Sequence, residues 1–119
     1  MKEHTLSLKN AIAGLIWVIK TQRNFKVELF LSIISILGGF YFKITYVEFL
    51  IIGTLITIGL VIEVINTAIE EAIDAIHKDW QEAIKIAKDV AASAMLIFSI
   101  GAFIIASIIF VPHIIKLLL

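Results

Sequence analysis

The fold is decided by a run of 26 residues without Asp, Glu, Lys or Arg: VAASAMLIFSIGAFIIASIIFVPHII, from Val90 to Ile115. A helix rises about 1.5 Å per residue and needs about 20 mainly apolar residues to cross a bilayer, so this run is long enough to span one. Two shorter uncharged runs precede it, Leu29–Phe42 and Phe49–Ile62, and each needs its flanks to reach that length. The sequence therefore predicts three membrane-spanning helices.

The composition also indicates a small membrane protein. Of the 119 residues, 61% are hydrophobic and the mean hydropathy is +1.05, against roughly 45–50% apolar residues in soluble domains. The absence of cysteine excludes disulfides, thiolate metal sites and thiol nucleophiles. Ten basic residues balance ten acidic ones, so no nucleic-acid partner is expected. The sequence also lacks the glycine-rich phosphate loop, the His-Glu-x-x-His motif and the serine nucleophile motif.

The basic residues predict an orientation. Eight of the ten lie before the first apolar run or between the second and the third, while Lys43 and Lys116 lie on the opposite side. Positive residues concentrate on the cytoplasmic side of membrane proteins, so we expect the N-terminus and the 66–89 segment to be cytoplasmic. Glu48 is then the single carboxylate on the outer side.

We expect an all-α membrane protein with one membrane domain, residues 1–119. An outer turn is expected from Gly38-Gly39 and the Lys43–Tyr46 stretch, and an inner turn at His77–Gln81. The predicted elements are a surface helix at 5–21 and membrane helices at 27–42, 47–76 and 82–115, the last two with cytoplasmic extensions.

The N-terminal segment has the pattern of an amphipathic helix. Apolar residues recur at helical spacing from Leu8 to Ile19, while Lys2, Lys9 and Lys20 share another face. This pattern predicts a helix that lies on the cytoplasmic membrane surface. An ordinary amphipathic helix of a soluble protein is the alternative.

A polar stripe follows the second apolar run. At about 100° per residue, Glu63, Asn66, Glu70 and Asp74 fall within an arc of roughly 80° on one helix face. Asn66 could instead hydrogen-bond between helices, and Asp74 could be solvated at the surface. Glu63 is harder to explain in this way, because ionisable residues at membrane depth are costly and mark functional sites.

A second charged cluster precedes the third apolar run. Lys88 and Asp89 would provide a cation for phosphate oxygens and a carboxylate for a metal ion or a hydroxyl. The alternative is an ion pair of Lys88 with Glu70 or Asp74. Local spacing alone favours that ion pair.

Together these two clusters resemble a family signature. The pattern Glu63-x-x-Asn66-Thr67-Ala-Ile-Glu70-x-x-x-Asp74, followed by Lys88-Asp89-Val-Ala-Ala, is similar to that of the prokaryotic diacylglycerol kinase and undecaprenol kinase family. The resemblance covers essentially the whole chain and is closest to the undecaprenol branch. It implies a homotrimeric bundle whose active sites form between neighbouring chains at the cytoplasmic interface.

The resemblance also implies an activity and roles for individual residues. Such enzymes transfer the γ-phosphoryl group of Mg-ATP to the hydroxyl of a lipid alcohol. By this analogy the catalytic residues are Glu63 as general base, Asn66 as its positioning partner, and Asp89. Lys88, Asp89 and Glu70 would bind the nucleotide, and Glu70 would hold the magnesium ion.

Two positions depart from the family pattern. Gln22 stands where the family commonly has a glutamate that shares the metal with Glu70. An amide oxygen can bind Mg²⁺ but adds no charge, so Gln22 is expected to be a weaker metal and cofactor ligand unless Glu28 or Glu71 substitutes. Ser93 stands where relatives usually have glycine.

Two other functions compete with lipid phosphorylation. A small proton-coupled transporter would also place a lone glutamate inside the membrane. However, the polar residues gather at one end of the predicted helices, and the third run has no charge to continue a pathway. A catalytically weakened family member is the other alternative, and Gln22 is the residue that suggests it.

Overall fold

The computed structural model describes residues 2–76, 79 and 81–119. Three of the helices in this part of the chain are long and apolar enough to cross a membrane, which confirms the prediction of three spanning helices. The helices are α1 (Lys2–Thr21), α2 (Arg23–Phe42), α3 (Tyr46–Ile76) and α4 (Glu82–Leu118).

The helix α1 joins α2 through one non-helical residue. Gln22 has extended backbone angles, φ −98° and ψ 110°, and directly precedes α2. Of the residues described in α1, Val18 alone is buried, and Leu8, Ile12 and Trp17 are exposed. Its position on a membrane surface stays a prediction.

The turn between α2 and α3 is shorter than the sequence suggested. Gly38 and Gly39 lie inside α2, which ends at Phe42, and Lys43 closes the helix in the left-handed conformation with φ 53°. Gly39 serves packing instead of a turn, since a Cβ atom on it would lie 2.7 Å from a ring carbon of Phe49. Of the two stretches from which the outer turn was expected, the turn falls in Lys43–Tyr46, and Gly38-Gly39 does not contribute to it.

We call the end of the bundle with this turn the hairpin end, and the opposite end the polar end. A small apolar core holds the hairpin end together, formed by the buried residues Ile44, Ile52 and Ile109. Phe42 and Phe110 pack against it, with ring centroids 6.2 Å apart.

Reciprocal hydrogen bonds fix the start of α3 at the hairpin end. The Thr45 hydroxyl accepts a bond from the Glu48 N–H at 3.1 Å, and Glu48 Oε1 accepts one from the Thr45 N–H at 2.9 Å. This is a capping box, which satisfies amide groups that the first turn of a helix leaves free. Glu48 Oε1 also lies 3.2 Å from Nε2 of His113, which ties α3 to α4.

At the polar end, α3 and α4 approach each other before the inner turn. The predicted turn at 77–81 falls partly outside the described residues, since His77, Lys78 and Trp80 are not among them. Lys88 Nζ of α4 lies 2.5 Å from Asp74 Oδ1 of α3. The ion pair that local spacing favoured is therefore present.

Candidate active site

The part of the α3 stripe nearest the middle of the helix is buried against the rest of the chain, whereas Glu70 is half-buried and Asp74 is exposed. Glu63 is 3% exposed, Asn66 7% and Thr67 3%. The Thr67 hydroxyl donates to the Glu63 carbonyl at 2.9 Å, so its polar group is satisfied within the helix. The Glu63 carboxylate is turned inward, where neither water nor lipid headgroups fully solvate it.

Asn66 is left with an unpaired acceptor. Its Nδ2 donates to Oε1 of Glu70 across one helical turn, a long bond at 3.4 Å. Its Oδ1 is buried and has no hydrogen-bond partner. A buried polar atom without a partner costs about 1–3 kcal/mol, so Asn66 Oδ1 is suited to accept a hydrogen bond from a bound molecule.

Two other carboxylates act electrostatically on the buried Glu63. Glu70 lies two turns beyond Glu63 on the same face of α3, and both Glu70 and Glu28 of α2 act electrostatically on Glu63. Like charges in a poorly solvated site repel one another. The repulsion between Glu63 and these two carboxylates therefore favours a ligand that brings a proton or a cation.

The approach of Glu28 depends on a glycine. Glu28 Oε1 lies 2.5 Å from where a Cβ atom on Gly59 would stand, and Gly59 precedes Glu63 by one turn. Sequence reasoning named Glu28 solely as a replacement metal ligand and did not name Gly59. The available signal was a glycine inside a long apolar helix, which often marks a close approach.

An apolar groove of about 370 Å³ extends from Glu28 between α2, α3 and α4 toward the hairpin end. The hydroxyls of Ser32 and Ser35, which face the groove, donate to carbonyls of their own helix at 2.7 and 2.9 Å. The groove is thus lined mainly by apolar groups, and the Glu28 carboxylate lies at the end nearer the polar end of the bundle. Its other lining side chains include Leu31, Ile56, Phe98 and Phe103.

The predicted phosphate-binding residues take part in ion pairs. Lys88 contacts Asp74 across the helices and also experiences the charges of Glu70 and Glu71. Asp89 pairs with Lys85 at 2.6 Å along α4, with both side chains exposed. The structure therefore brings Lys88 to the α3 stripe, whereas Asp89 contacts its own helix.

The donor atoms of the polar end suit a magnesium ion. Mg²⁺ takes oxygen ligands and is usually held by one or two carboxylates together with substrate phosphates. Glu70 offers a half-buried carboxylate that accepts a hydrogen bond from Asn66 Nδ2, and Asn66 Oδ1 is a further oxygen on the same residue without a partner. Within the described residues no three carboxylate or histidine side chains gather to hold a metal.

Gln22 lies at the joint between α1 and α2, half-buried. Its Nε2 donates to the Thr21 hydroxyl at 3.2 Å. No hydrogen bond joins Gln22 to Glu70 among the residues that the structure describes. Its role as a metal ligand stays a prediction.

The α3 stripe thus carries the buried Glu63 carboxylate, the unpaired oxygen of Asn66 and, further along the helix, the contact of Asp74 with Lys88, while Glu28 lines the apolar groove. The family model for prokaryotic diacylglycerol kinase matches residues 9–110. This chain belongs to the prokaryotic diacylglycerol kinase family. It is therefore a member of a family of lipid kinases, and this membership favours the kinase hypothesis over the transporter.

Two curated relatives show the range within the family. The chain is 28% identical over 114 residues to a diacylglycerol kinase of Synechocystis, covering 95% of this chain and 65% of that protein. It is 33% identical over 106 residues to an undecaprenol kinase of Bacillus subtilis, covering 89% of this chain and 86% of that protein. The chain thus spans slightly less than two thirds of the cyanobacterial relative.

Proposed function

We propose that this protein is a lipid kinase that transfers the γ-phosphoryl group of Mg-ATP to the hydroxyl of a membrane lipid alcohol, with undecaprenol favoured over diacylglycerol. The observation that carries the proposal is the buried Glu63 beside Asn66, whose Oδ1 has no partner. The apolar groove headed by Glu28 supports a lipid acceptor. The family membership supports phosphoryl transfer.

The residues of α3 suit the acceptor half of the reaction. The Glu63 carboxylate takes the proton of the lipid hydroxyl as the oxygen attacks the γ-phosphorus. Asn66 Oδ1 or Nδ2 orients that hydroxyl. A new O–P bond forms, the bond between the γ-phosphorus and the β–γ bridging oxygen breaks, and ADP leaves with the electron pair.

The residues nearer the polar end suit the nucleotide half. Lys88 neutralises phosphate charge, in place of its present contact with Asp74. Glu70 would hold the magnesium ion, with Gln22 as an uncharged ligand, and the bound ion would supply further neutralisation of the phosphates. Asp89 contributes to the same nucleotide site.

We further propose a homotrimer in a bacterial plasma membrane, with a cytoplasmic N-terminus and the site at the cytoplasmic interface. Many large apolar side chains of the spanning helices are exposed in the single chain, among them Phe30, Ile97 and Phe103. Lipid and neighbouring chains would cover them. A neighbouring chain would also complete the active site.

A phosphorylation assay tests the proposal. The purified protein in mixed micelles receives labelled ATP, Mg²⁺ and either undecaprenol or diacylglycerol, and the labelled lipid is counted. We expect label in the lipid fraction, more with undecaprenol. The matched control is the methyl ether of the same alcohol, which keeps the chain but has no acceptor hydroxyl. An assembled protein that labels neither alcohol would overturn the proposed function.

A further inference from the structure

Gly59 stands where two other helices press closest to α3. A Cβ atom on it would lie 2.5 Å from Glu28 Oε1 of α2 and 2.6 Å from Phe98 Cε1 of α4. Gly53 of the same helix has nothing within 4 Å of its Cβ position. The absence of a side chain at Gly59 therefore allows α2 and α4 to approach α3 closely. Gly53, six residues earlier in the same helix, has no such role.

We propose that Gly59 is a positioning residue, which seats the Glu28 carboxylate against α3 beside Glu63 at the head of the apolar groove. This inference rests on the proposed lipid kinase activity. Gly59 precedes Glu63 by four residues, so Glu28 meets α3 about 6 Å nearer the hairpin end than Glu63. A lipid hydroxyl would then enter at a membrane depth between the carboxylates of Glu28 and Glu63.

The position of Glu28 matters because this part of the chain is packed between helices. Phe98 fills the other side of Gly59 and also lines the groove, so the carboxylate and the ring share one space. A side chain at position 59 must displace both. A displacement of about 1 Å at a reacting site can lower the rate by about 100-fold.

The same contacts predict a small effect on stability. The atoms that a Cβ would meet are the outer ends of two side chains, and neither is backbone. Alanine also has a higher helix propensity than glycine. Gly59→Ala should therefore move Glu28 and Phe98 without unfolding the bundle.

The test compares Gly59→Ala with Gly53→Ala in the mixed-micelle assay. We expect Gly59→Ala to lower kcat/KM for the lipid alcohol at least tenfold, with KM for ATP within twofold of the wild type. Gly53→Ala should match the wild type in both constants. The midpoints of thermal unfolding of both variants should be equal to or above that of the wild type.

Second substitutions separate the carboxylate from the ring. Glu28→Asp withdraws the carboxylate by one methylene, so it should restore part of the activity lost in Gly59→Ala while lowering activity in the wild-type background. Phe98→Leu, as the only second substitution in Gly59→Ala, should not restore the lost activity. Rescue by Phe98→Leu without rescue by Glu28→Asp would show that the glycine seats the ring and would overturn the proposal.

Two further outcomes would also count against it. An active wild type with an equally active Gly59→Ala variant would overturn the positioning role and leave the proposed function standing. A wild type that phosphorylates no lipid alcohol would overturn both.

Discussion

The two ends of α3 differ in whether their polar side chains have hydrogen-bond partners. At the hairpin end, Thr45 and Glu48 satisfy each other, and Glu48 also contacts His113 of α4. Toward the polar end, Asn66 keeps an unpaired buried oxygen and Glu63 is buried in the range of two like charges. The hydrogen bonds of the polar side chains are thus satisfied at the hairpin end of α3, whereas toward the polar end a buried acceptor lacks a partner.

The difference separates residues that hold the fold from residues that await a ligand. Paired groups contribute to stability, whereas an unpaired buried group lowers it and persists where function requires it. Substitutions at the hairpin end should therefore change stability, and substitutions in the α3 stripe should change activity.

The largest effect is expected at Glu63. Glu63→Gln keeps the shape of the side chain but removes the proton acceptor, so kcat for lipid phosphorylation should fall by about 10²–10⁴-fold, as for loss of a general base. The unfolding midpoint should stay the same or rise, because a buried charge is removed. Steady-state kinetics and thermal unfolding in detergent measure the two effects.

A matched control for this variant is Glu82→Gln, which makes the same change at an exposed residue in the first turn of α4. It should retain the activity of the wild type. Near-normal turnover in Glu63→Gln would show that another group accepts the proton.

A substitution at Asn66 should raise stability and lower activity at the same time. Asn66→Leu replaces the buried amide, including its unpaired oxygen, by an apolar side chain of similar size. We expect the unfolding midpoint to rise and kcat/KM for the lipid alcohol to fall at least tenfold. A variant that loses stability instead would mean that the long bond to Glu70 contributes more than the unpaired oxygen costs.

The hairpin end should respond in the reverse manner. Thr45→Ala removes one half of the capping box, and the loss of such a cap costs about 0.5–2 kcal/mol. The unfolding midpoint should fall, with kcat changed by less than twofold. Thr45→Ser, which keeps the hydroxyl, should retain most of the stability, and a large loss of activity in Thr45→Ala would contradict the division between the two ends.

The smallest effect is expected at an exposed ion pair of α4. Lys85→Ala removes the contact with Asp89, in which both side chains are exposed. Exposed pairs along a helix contribute about 0.3–0.5 kcal/mol, so the unfolding midpoint should hardly change. A clear fall would indicate that a neighbouring chain buries this pair.

The number of spanning helices could be predicted because it depends on local composition. Uncharged runs of sufficient length require helices whatever their partners, and the structure has three such helices. The outer turn was only partly predictable. Glycine pairs suggest a turn by their backbone freedom, but Gly39 is needed for the approach of Phe49, which is a contact between helices.

The candidate site divides in the same way. The stripe from Glu63 to Asp74 follows from helical periodicity along one helix. The spacing of Lys88 favoured an ion pair with Glu70 or Asp74, and the structure shows the pair with Asp74. The approach of Glu28 and Phe98 to Gly59 was not predictable. It depends on the relative placement of three helices, on which the sequence of each helix carries no direct information.

The short turn between α2 and α3 has a consequence for biogenesis. Three residues, 43–45, lie outside the helices, and the N–H of Lys43 bonds back to carbonyls of α2. In the proposed orientation this turn must cross the bilayer during insertion, and its polar load is small: one lysine, one threonine hydroxyl and the capping Glu48. We therefore expect α2 and α3 to enter the membrane together as a preformed helical hairpin.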